Sequence, residues 1–213
     1  MRGRQLGRGL RIICPLAGLA SPIILAAATI LVAAGRPDYA PVRDAISELA
    51  AVGRPGGVLA RWLGVIPAGV LTALAAPAAY RVFGPGGLSR WGAAVQALAG
   101  AAFVGTALSP WVGAATDLAP AQNRLHLALA LAGFALLGLA PLLFGLHRRP
   151  PARRWWSWGS LAASAAVFAF GFGLARPPDL GLFQRAALAS FYIWLIAVCL
   201  ARLWRVVQSA EAD

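Results

Sequence analysis

The chain has 213 residues, of which 60% are hydrophobic and only 12% are charged, and its mean hydropathy is +0.71. Soluble domains carry about 45–50% apolar and about 25% charged residues, so this composition argues against a soluble enzyme, an extended nucleic-acid binder and a disordered tail. The net charge of +12 comes from 19 basic residues, all of them arginine. They stand at the ends of apolar runs, which indicates membrane topology rather than nucleic-acid binding.

Six apolar stretches are long enough to cross a membrane, because a spanning helix needs about 20 mostly apolar residues. The run that begins at Ile12 exceeds the ~7–15 residues of a signal-peptide core, so we interpret it as an uncleaved first helix. The sequence predicts an all-α, multi-pass integral protein of the cell membrane, with one six-helix domain over residues 1–213. The predicted spans are residues 12–34, 58–80, 91–112, 125–146, 157–175 and 186–204.

The distribution of arginine predicts the orientation of this bundle. One side carries twelve arginines and only two acids, Glu211 and Asp213, whereas the other carries seven arginines and five acids. Arginine-rich ends stay in the cytoplasm, so both termini are predicted to be cytoplasmic. The loops predicted to face outward then carry Asp38, Asp44, Glu48, Asp117 and Asp179.

The first predicted outer loop has the pattern of a short amphipathic helix. Pro41 suits a first helical turn, and Val42, Ile46 and Leu49 repeat at helical spacing. We expect this helix to lie over the outer mouth of the bundle and to be followed by a turn at residues 53–57.

Two acids and a serine occupy the polar side of this predicted helix. Asp44 and Glu48 are four residues apart, so their like charges would repel slightly on one helical face. Either neighbouring arginines such as Arg43 compensate them, or they hold a cation or a polar headgroup. Ser47 lies between them.

The fourth and sixth predicted spans each begin with one polar candidate. His126 is either a structural histidine bonded to a neighbouring loop or a general base or headgroup contact. Arg185 is either the ion-pair partner of an outer carboxylate or a clasp for a phosphate or carboxylate. Ser109, near the outer end of the third span, is a further candidate hydroxyl.

These elements are predicted to converge as one polar cluster on the outer side of the membrane. The candidate catalytic residues are His126, Ser47 and Glu48. The candidate ligand-binding residues are Asp44, Ser47, Glu48, His126 and Arg185.

Several other chemistries lack their sequence patterns. The second histidine, His147, is predicted on the opposite side, so a multi-histidine zinc site is not expected. Neither a glycine-rich phosphate loop nor a Gly-x-Ser-x-Gly elbow is present. Cys14 and Cys199 lie inside predicted spans, which excludes a disulfide framework. We predict no metal, no cofactor and no nucleic-acid partner.

The first outer loop resembles that of domain-of-unknown-function family 998, whose pattern is similar to Tyr-Ser-Pro-x-x-x-x-Ile-Ser-Glu-Leu-Gly. This chain matches at Tyr39, Pro41 and residues 46–49, and departs at Ala50, where the family has glycine, so we expect the turn at Gly53. Two further stretches also look like family positions, namely His126 and the run from Gly181 to Arg185. The resemblance extends over residues 16–206 and implies a six-helix membrane fold, but no established activity.

The same loop and the histidine of the fourth span are also similar, more distantly, to Frag1/DRAM/Sfk1 membrane proteins. Those proteins are linked to lipid remodelling and to membrane lipid organisation. This resemblance implies a lipid-related role, and for that reason we place lipid binding first among the hypotheses.

Three functions remain open from the sequence. The first is binding or handling of a lipid headgroup at the outer leaflet, with membrane lipids as partners. The second is a membrane-embedded hydrolase or acyltransferase with Ser47 or Ser109 as nucleophile and His126 as base. Asp44, Glu48 or Asp117 would orient that base. The third is a non-catalytic scaffold that forms a homo-oligomer or joins another membrane protein.

Overall fold

The computed structural model describes residues 2–112, 119–147, 154–173 and 178–211, with side chains at all of these except 2–8, 119, 173 and 210–211. Over these ranges the fold is all-helical, which confirms the predicted class. The helices are α1 (Arg2–Ala34), α2 (Ile46–Leu49), α3 (Gly57–Phe83), α4 (Gly87–Leu108), α5 (Ala119–Leu146), α6 (Arg154–Phe168) and α7 (Leu180–Glu211). Residues Ala169–Gly173 continue α6 as a short π-helix.

Five helices are long and apolar enough to cross a membrane. They are Gly9–Ala34, Gly57–Phe83, Gly87–Leu108, Pro120–Leu146 and Leu180–Ser209, and they coincide with five of the predicted spans. The predicted span at 157–175 falls on α6 and its π-helical extension, which have 15 and five residues, and α6 begins with an arginine followed by tryptophans and serines. A sixth span and the cytoplasmic position of both termini stay predictions.

The six long helices form a ring in chain order. Each packs against its neighbours in the chain, and α7 closes the ring by packing on α1 and α3. Helix α5 packs closely on α4 and α6 but touches α7 only lightly. The contact between α5 and α7 is therefore weaker than the contact of either helix with α6.

Small residues bring two neighbouring helices together. A Cβ atom at Gly69 of α3 would lie 2.6 Å from the carbonyl oxygen of Gly100 on α4, so a larger residue does not fit there. Polar side chains bond across the same region, because hydrocarbon offers them no water. Gln96 donates to the Thr72 carbonyl at 3.1 Å, and the Thr72 and Ser21 hydroxyls are 2.9 Å apart.

Helix α4 ends at Leu108, four residues before the predicted end of its span. Ser109 leaves the helical conformation, with φ −113° and ψ 65°, and the following Pro110 has no N–H with which to continue the ladder. This early end leaves carbonyl oxygens of the last turn open to partners from α5.

The helix of the first loop is shorter than predicted. It begins at Ile46, because Ala45 is extended, with φ −66° and ψ 152°. The prediction of a helix from Pro41 was wrong, and Val42, expected on its apolar stripe, is exposed. The turn after the helix is confirmed, with φ +73° at Gly53.

Candidate functional site

Backbone contacts with α7 explain why the first loop is not helical throughout. The N–H groups of Leu182 and Gly181 donate to the carbonyls of Val42 and Arg43, at 2.7 and 3.2 Å. Those carbonyls are therefore occupied by α7. The start of α7 thus fixes the conformation of the loop through hydrogen bonds.

Arg185 completes this junction. Its guanidinium Nη1 donates to the carbonyl oxygens of Pro41, Asp44 and Gly181, at 2.6, 3.1 and 3.0 Å, and Nη2 donates to the Tyr39 hydroxyl. The expected ion pair with an outer carboxylate does not form among the described residues. The guanidinium is occupied by loop oxygens, so its contact role is to position the loop.

Asp44 is also held within the loop. Arg43 donates to both of its carboxylate oxygens, at 2.6 and 2.9 Å, and the Ala40 N–H donates at 2.7 Å. These bonds, chiefly those from Arg43, hold the pKa of the Asp44 carboxyl below its ordinary value, against the opposing effect of burial. Asp44 precedes α2, so it does not share a helical face with Glu48, and the prediction of such a shared face was wrong.

A second ion pair anchors the beginning of the loop. Arg36 donates to both carboxylate oxygens of Asp38, at 2.8 and 2.7 Å. Its hydrogen bonds lower the pKa of Asp38 to about 2. The Nη1 atom of Arg54 lies 3.8 Å from Asp38 and is only loosely paired with it.

Helix α2 is oriented at its N-terminus by two side chains. The Ala45 N–H donates to Glu48 at 3.2 Å, and the Ile46 N–H donates to Gln184 of α7 at 2.7 Å. These carboxylate and amide oxygens satisfy two of the N–H groups that a helix start leaves open. Glu48 is exposed and has no arginine partner within the described side chains.

His126 is buried and is fixed by the end of α4. Its Nδ1 atom lies 2.8 Å from the Ser109 carbonyl oxygen and 3.2 Å from that of Thr106. Carbonyl oxygens only accept, so Nδ1 carries the proton. In the neutral ring, Nε2 is then the acceptor, and it has no partner among the described residues. The interpretation of His126 as bonded to a neighbouring loop is confirmed.

Two other side chains of α5 fix the segment after α4. Asn123 accepts from the Val112 N–H at 2.8 Å and donates to the Val112 carbonyl at 2.7 Å, and Gln122 donates to Pro110 at 3.0 Å. The Val52 N–H donates to the Trp111 carbonyl at 2.9 Å, which joins the first loop to this segment. Trp111 is thereby placed edge-on to His126, with 6.1 Å between ring centroids.

A cavity of about 580 Å³ lies between these elements, and we call it the α2–α5 cavity. It is bounded by the first loop and α2, by Trp111, by α5, and by the ends of α6 and α7. Its polar lining residues are Ser47, Glu48, Arg54, His126 and Gln184, and its apolar ones include Val52, Leu127, Ala130, Leu131, Phe134 and Leu180.

A smaller cavity of about 60 Å³ lies further into the bundle. It shares Ser47, His126, Ala130, Phe134 and Gln184 with the α2–α5 cavity, and its other walls are almost entirely apolar. The two cavities together lead from polar side chains into an apolar interior.

The structure brings together three of the five predicted ligand-binding residues. Ser47, Glu48 and His126 line the α2–α5 cavity, whereas Asp44 and Arg185 do not. Sequence reasoning did not include Arg54, Trp111 and Gln184, which also line it. A glutamine beside Arg185 at the start of a helix was the one signal for Gln184.

The contacts of the catalytic candidates are partly defined. The Ser109 group bonded to His126 is its carbonyl, not its hydroxyl, and oxygen atoms of the main chain, not Asp44 or Glu48, orient the imidazole. Asp117 lies outside the described residues. Among the residues described, no three His, Cys, Asp or Glu side chains gather where they could hold a metal.

The fold and this site define a multi-helix membrane protein with a partly polar cavity under a structured loop. The chain matches the family described as "Protein of unknown function (DUF998)" over residues 19–201, and it belongs to that family. No curated protein and no solved structure matches it. The more distant similarity to Frag1/DRAM/Sfk1 proteins stays a prediction.

Proposed function

We propose that this protein binds a membrane lipid in the α2–α5 cavity, with the headgroup at Ser47, Glu48 and His126. The observation that carries the proposal is the two-part lining of the cavity, polar beneath the first loop and apolar along α5. The volume of about 580 Å³ falls in the range of ~300–1,000 Å³ that small-molecule sites occupy. An amphiphile matches both parts of the lining.

The position of the cavity favours a ligand that enters from the membrane. Leu127 and Leu131 line the cavity and are also 52% and 45% exposed on the outside of α5. On the outside of a bundle in a bilayer, such leucines face acyl chains. Residues of both α5 and α7 line the cavity, and these two helices contact each other only lightly.

The polar end of the cavity supplies both signs of charge. Glu48 offers a carboxylate, Arg54 offers a guanidinium held only loosely by Asp38, and His126 offers Nε2 as an acceptor. This set suits a headgroup that carries a phosphate together with a hydrogen-bond donor such as an amine. The distribution of arginine predicts that this lipid belongs to the outer leaflet.

Lipid that co-purifies with the protein tests the proposal. The protein would be extracted in mild detergent and its bound lipids counted by native mass spectrometry. Glu48→Gln and His126→Asn are expected to lower occupancy several-fold, because each removes a group that faces the headgroup. Asp179→Asn, which neutralises an exposed acid at the same end of the bundle, serves as the matched control and should retain full occupancy. Equal occupancy in all four proteins would reject the proposal.

A catalytic use of the same cavity is the second candidate function. It rests on the fixed orientation of His126, which leaves Nε2 as the basic nitrogen, and on the presence of Ser47 in the same lining. Ser47 would attack an ester carbonyl of the lipid, its proton passing to Nε2 and then to the departing alcohol, and water would release the acyl group. Labelling by a fluorophosphonate that is lost in Ser47→Ala would support this function, and absence of labelling would count against it.

A further inference from the structure

Four arginines converge at the end of the bundle opposite the first loop. They are Arg11 of α1, Arg81 of α3, and Arg202 and Arg205 of α7. Arg11 lies near the start of α1, whereas Arg81 and Arg202 lie near the ends of α3 and α7, and these three helices pack on one another. Like charges brought together at a membrane boundary destabilise the bundle unless an anion accompanies them.

For Arg11, Arg81 and Arg202, that anion does not come from the described side chains. Their ion pairs, Arg36–Asp38, Arg43–Asp44 and Arg54–Asp38, all lie at the loop end. Within the same set of side chains, Arg11, Arg81 and Arg202 have no carboxylate partner. The Nε atom of Arg202 is moreover buried and has no hydrogen-bond partner in the part of the chain that the structure describes. A buried donor without an acceptor is costly, so this atom marks a place for an oxygen ligand.

One arginine of the cluster is bonded to the main chain of a neighbouring helix. Arg205 donates to the Val82 carbonyl at 3.4 Å, which connects α7 with the last turn of α3. Arg81 lies in that same last turn. The guanidinium groups therefore come from packed helices with defined positions, rather than from a mobile tail.

The surroundings of the cluster distinguish a lipid from a free ion. Leu10, Ile13 and Trp204 flank it, and all three side chains are more than half exposed. Exposed apolar side chains beside arginines at the end of a spanning helix face both acyl chains and headgroups.

We propose that Arg11, Arg81 and Arg202, which lie beside Arg205, form a binding site for the phosphate of an anionic membrane lipid. Guanidinium groups bind phosphate oxygens in a planar, bidentate manner. The site lies in the leaflet that the arginine distribution predicts to be cytoplasmic. It is separate from the α2–α5 cavity and does not depend on the function proposed for that cavity.

Competition between two lipids tests this site. The purified protein would be mixed with equal amounts of phosphatidylglycerol and phosphatidylcholine, and bound lipids would be measured by native mass spectrometry. Wild type should prefer phosphatidylglycerol. Each arginine near a membrane surface contributes roughly fivefold in affinity, so Arg11→Gln should reduce the preference about fivefold and Arg81→Gln/Arg202→Gln more than tenfold. Arg11 is exposed, so its variant folds even if the double variant does not.

Two comparisons make the test specific. Arg154→Gln removes an exposed charge at the same end of the bundle, on α6, and should leave the preference intact. Millimolar inorganic phosphate should not displace the bound lipid. An equal loss in Arg154→Gln, an unchanged preference in Arg11→Gln, or displacement by inorganic phosphate would each overturn the proposal. Glu48→Gln should not alter this preference, so the two sites can fail separately.

Discussion

The guanidinium of Arg185 donates a hydrogen bond to the hydroxyl of Tyr39 and lies over the same ring, 5.6 Å from its centroid. Tyr39 in turn donates to the carbonyl of Asp44 or of Ala45, which lie 3.1 and 3.2 Å from its oxygen. The first loop is thus folded around one arginine of α7. Since α2 follows directly, this contact sets the position of Ser47 and Glu48 at the cavity.

Replacing Arg185 should loosen the loop even when the charge is kept. Arg185→Lys presents a single ammonium group, which cannot reach three carbonyl oxygens and Tyr39 together, and we expect it to destabilise the protein by about 2 kcal/mol. Thermal unfolding in detergent micelles measures this loss. The same change at Arg124, which is exposed, should have little effect. If Arg185→Lys unfolds like wild type, the loop does not depend on this arginine.

Gly181 should not tolerate a side chain. A Cβ atom there would collide with the main-chain oxygens of Asp44 and Pro41, both part of the same junction. Gly181→Ala should therefore separate the loop from α7 and cost about 2 kcal/mol, as overpacking does. Gly159→Ala on α6 is the control, because its Cβ meets nothing within 4 Å. That variant should be neutral or stabilising by up to about 1 kcal/mol.

Acid should weaken the first loop. The folded-state pKa of Asp44 lies below its ordinary value, chiefly because of Arg43, and that of Asp38 is about 2 because of Arg36. An unfolded aspartate titrates near pH ~3.9, so stabilisation by these pairs is fully present above that pH and is lost as the pH falls from there through the folded-state pKa values. Protection from hydrogen exchange at residues 39–46, relative to the exchange of an unstructured chain at each pH, should decrease between about pH 5 and 2. Asp44→Asn should show faster exchange at neutral pH and a weaker acid response, and a full acid response in that variant would contradict the assignment.

Mutation should separate the structural role of Nδ1 of His126 from the ligand-binding role of Nε2. Asn places an amide N–H near the position of Nδ1, so His126→Asn should keep a bond to Ser109 or Thr106 and retain most of the stability. His126→Phe leaves both carbonyls without this donor and should destabilise by about 1–3 kcal/mol. Both variants should lose lipid occupancy, because both lack Nε2. Full occupancy in His126→Asn would show that Nε2 does not contact the ligand.

Five of the six predicted spans coincide with long apolar helices, because hydropathy is a local property that the sequence states directly. The loop after α1 was predicted only in part, since its conformation depends on partners far along the chain. Ile46 and Gln184, which are 138 residues apart, share the hydrogen bond that orients α2. A helical repeat of apolar residues carries no information about such a partner.

The candidate site was likewise predicted only in part. His126 could be expected to bond to a neighbouring loop, because a buried imidazole in a membrane protein needs a partner. Arg185 was expected to contact a carboxylate or a ligand, but it donates to main-chain carbonyl oxygens instead. Every residue has such a carbonyl, so the residue types in the sequence do not indicate this contact. Trp111 and Arg54 reach the cavity through turns whose shape the sequence does not specify.

If a lipid occupies the α2–α5 cavity, a bulky side chain that fills the cavity should displace it. Ala130 lines both cavities, whereas Ala128, on the same helix, is exposed and does not line either. The measurement is the number of lipids bound per protein by native mass spectrometry for Ala130→Phe and Ala128→Phe. We expect Ala130→Phe to lose a bound lipid and Ala128→Phe to bind as many lipids as wild type, with equal thermal stability in the two variants. Unchanged occupancy in a folded Ala130→Phe protein would contradict it.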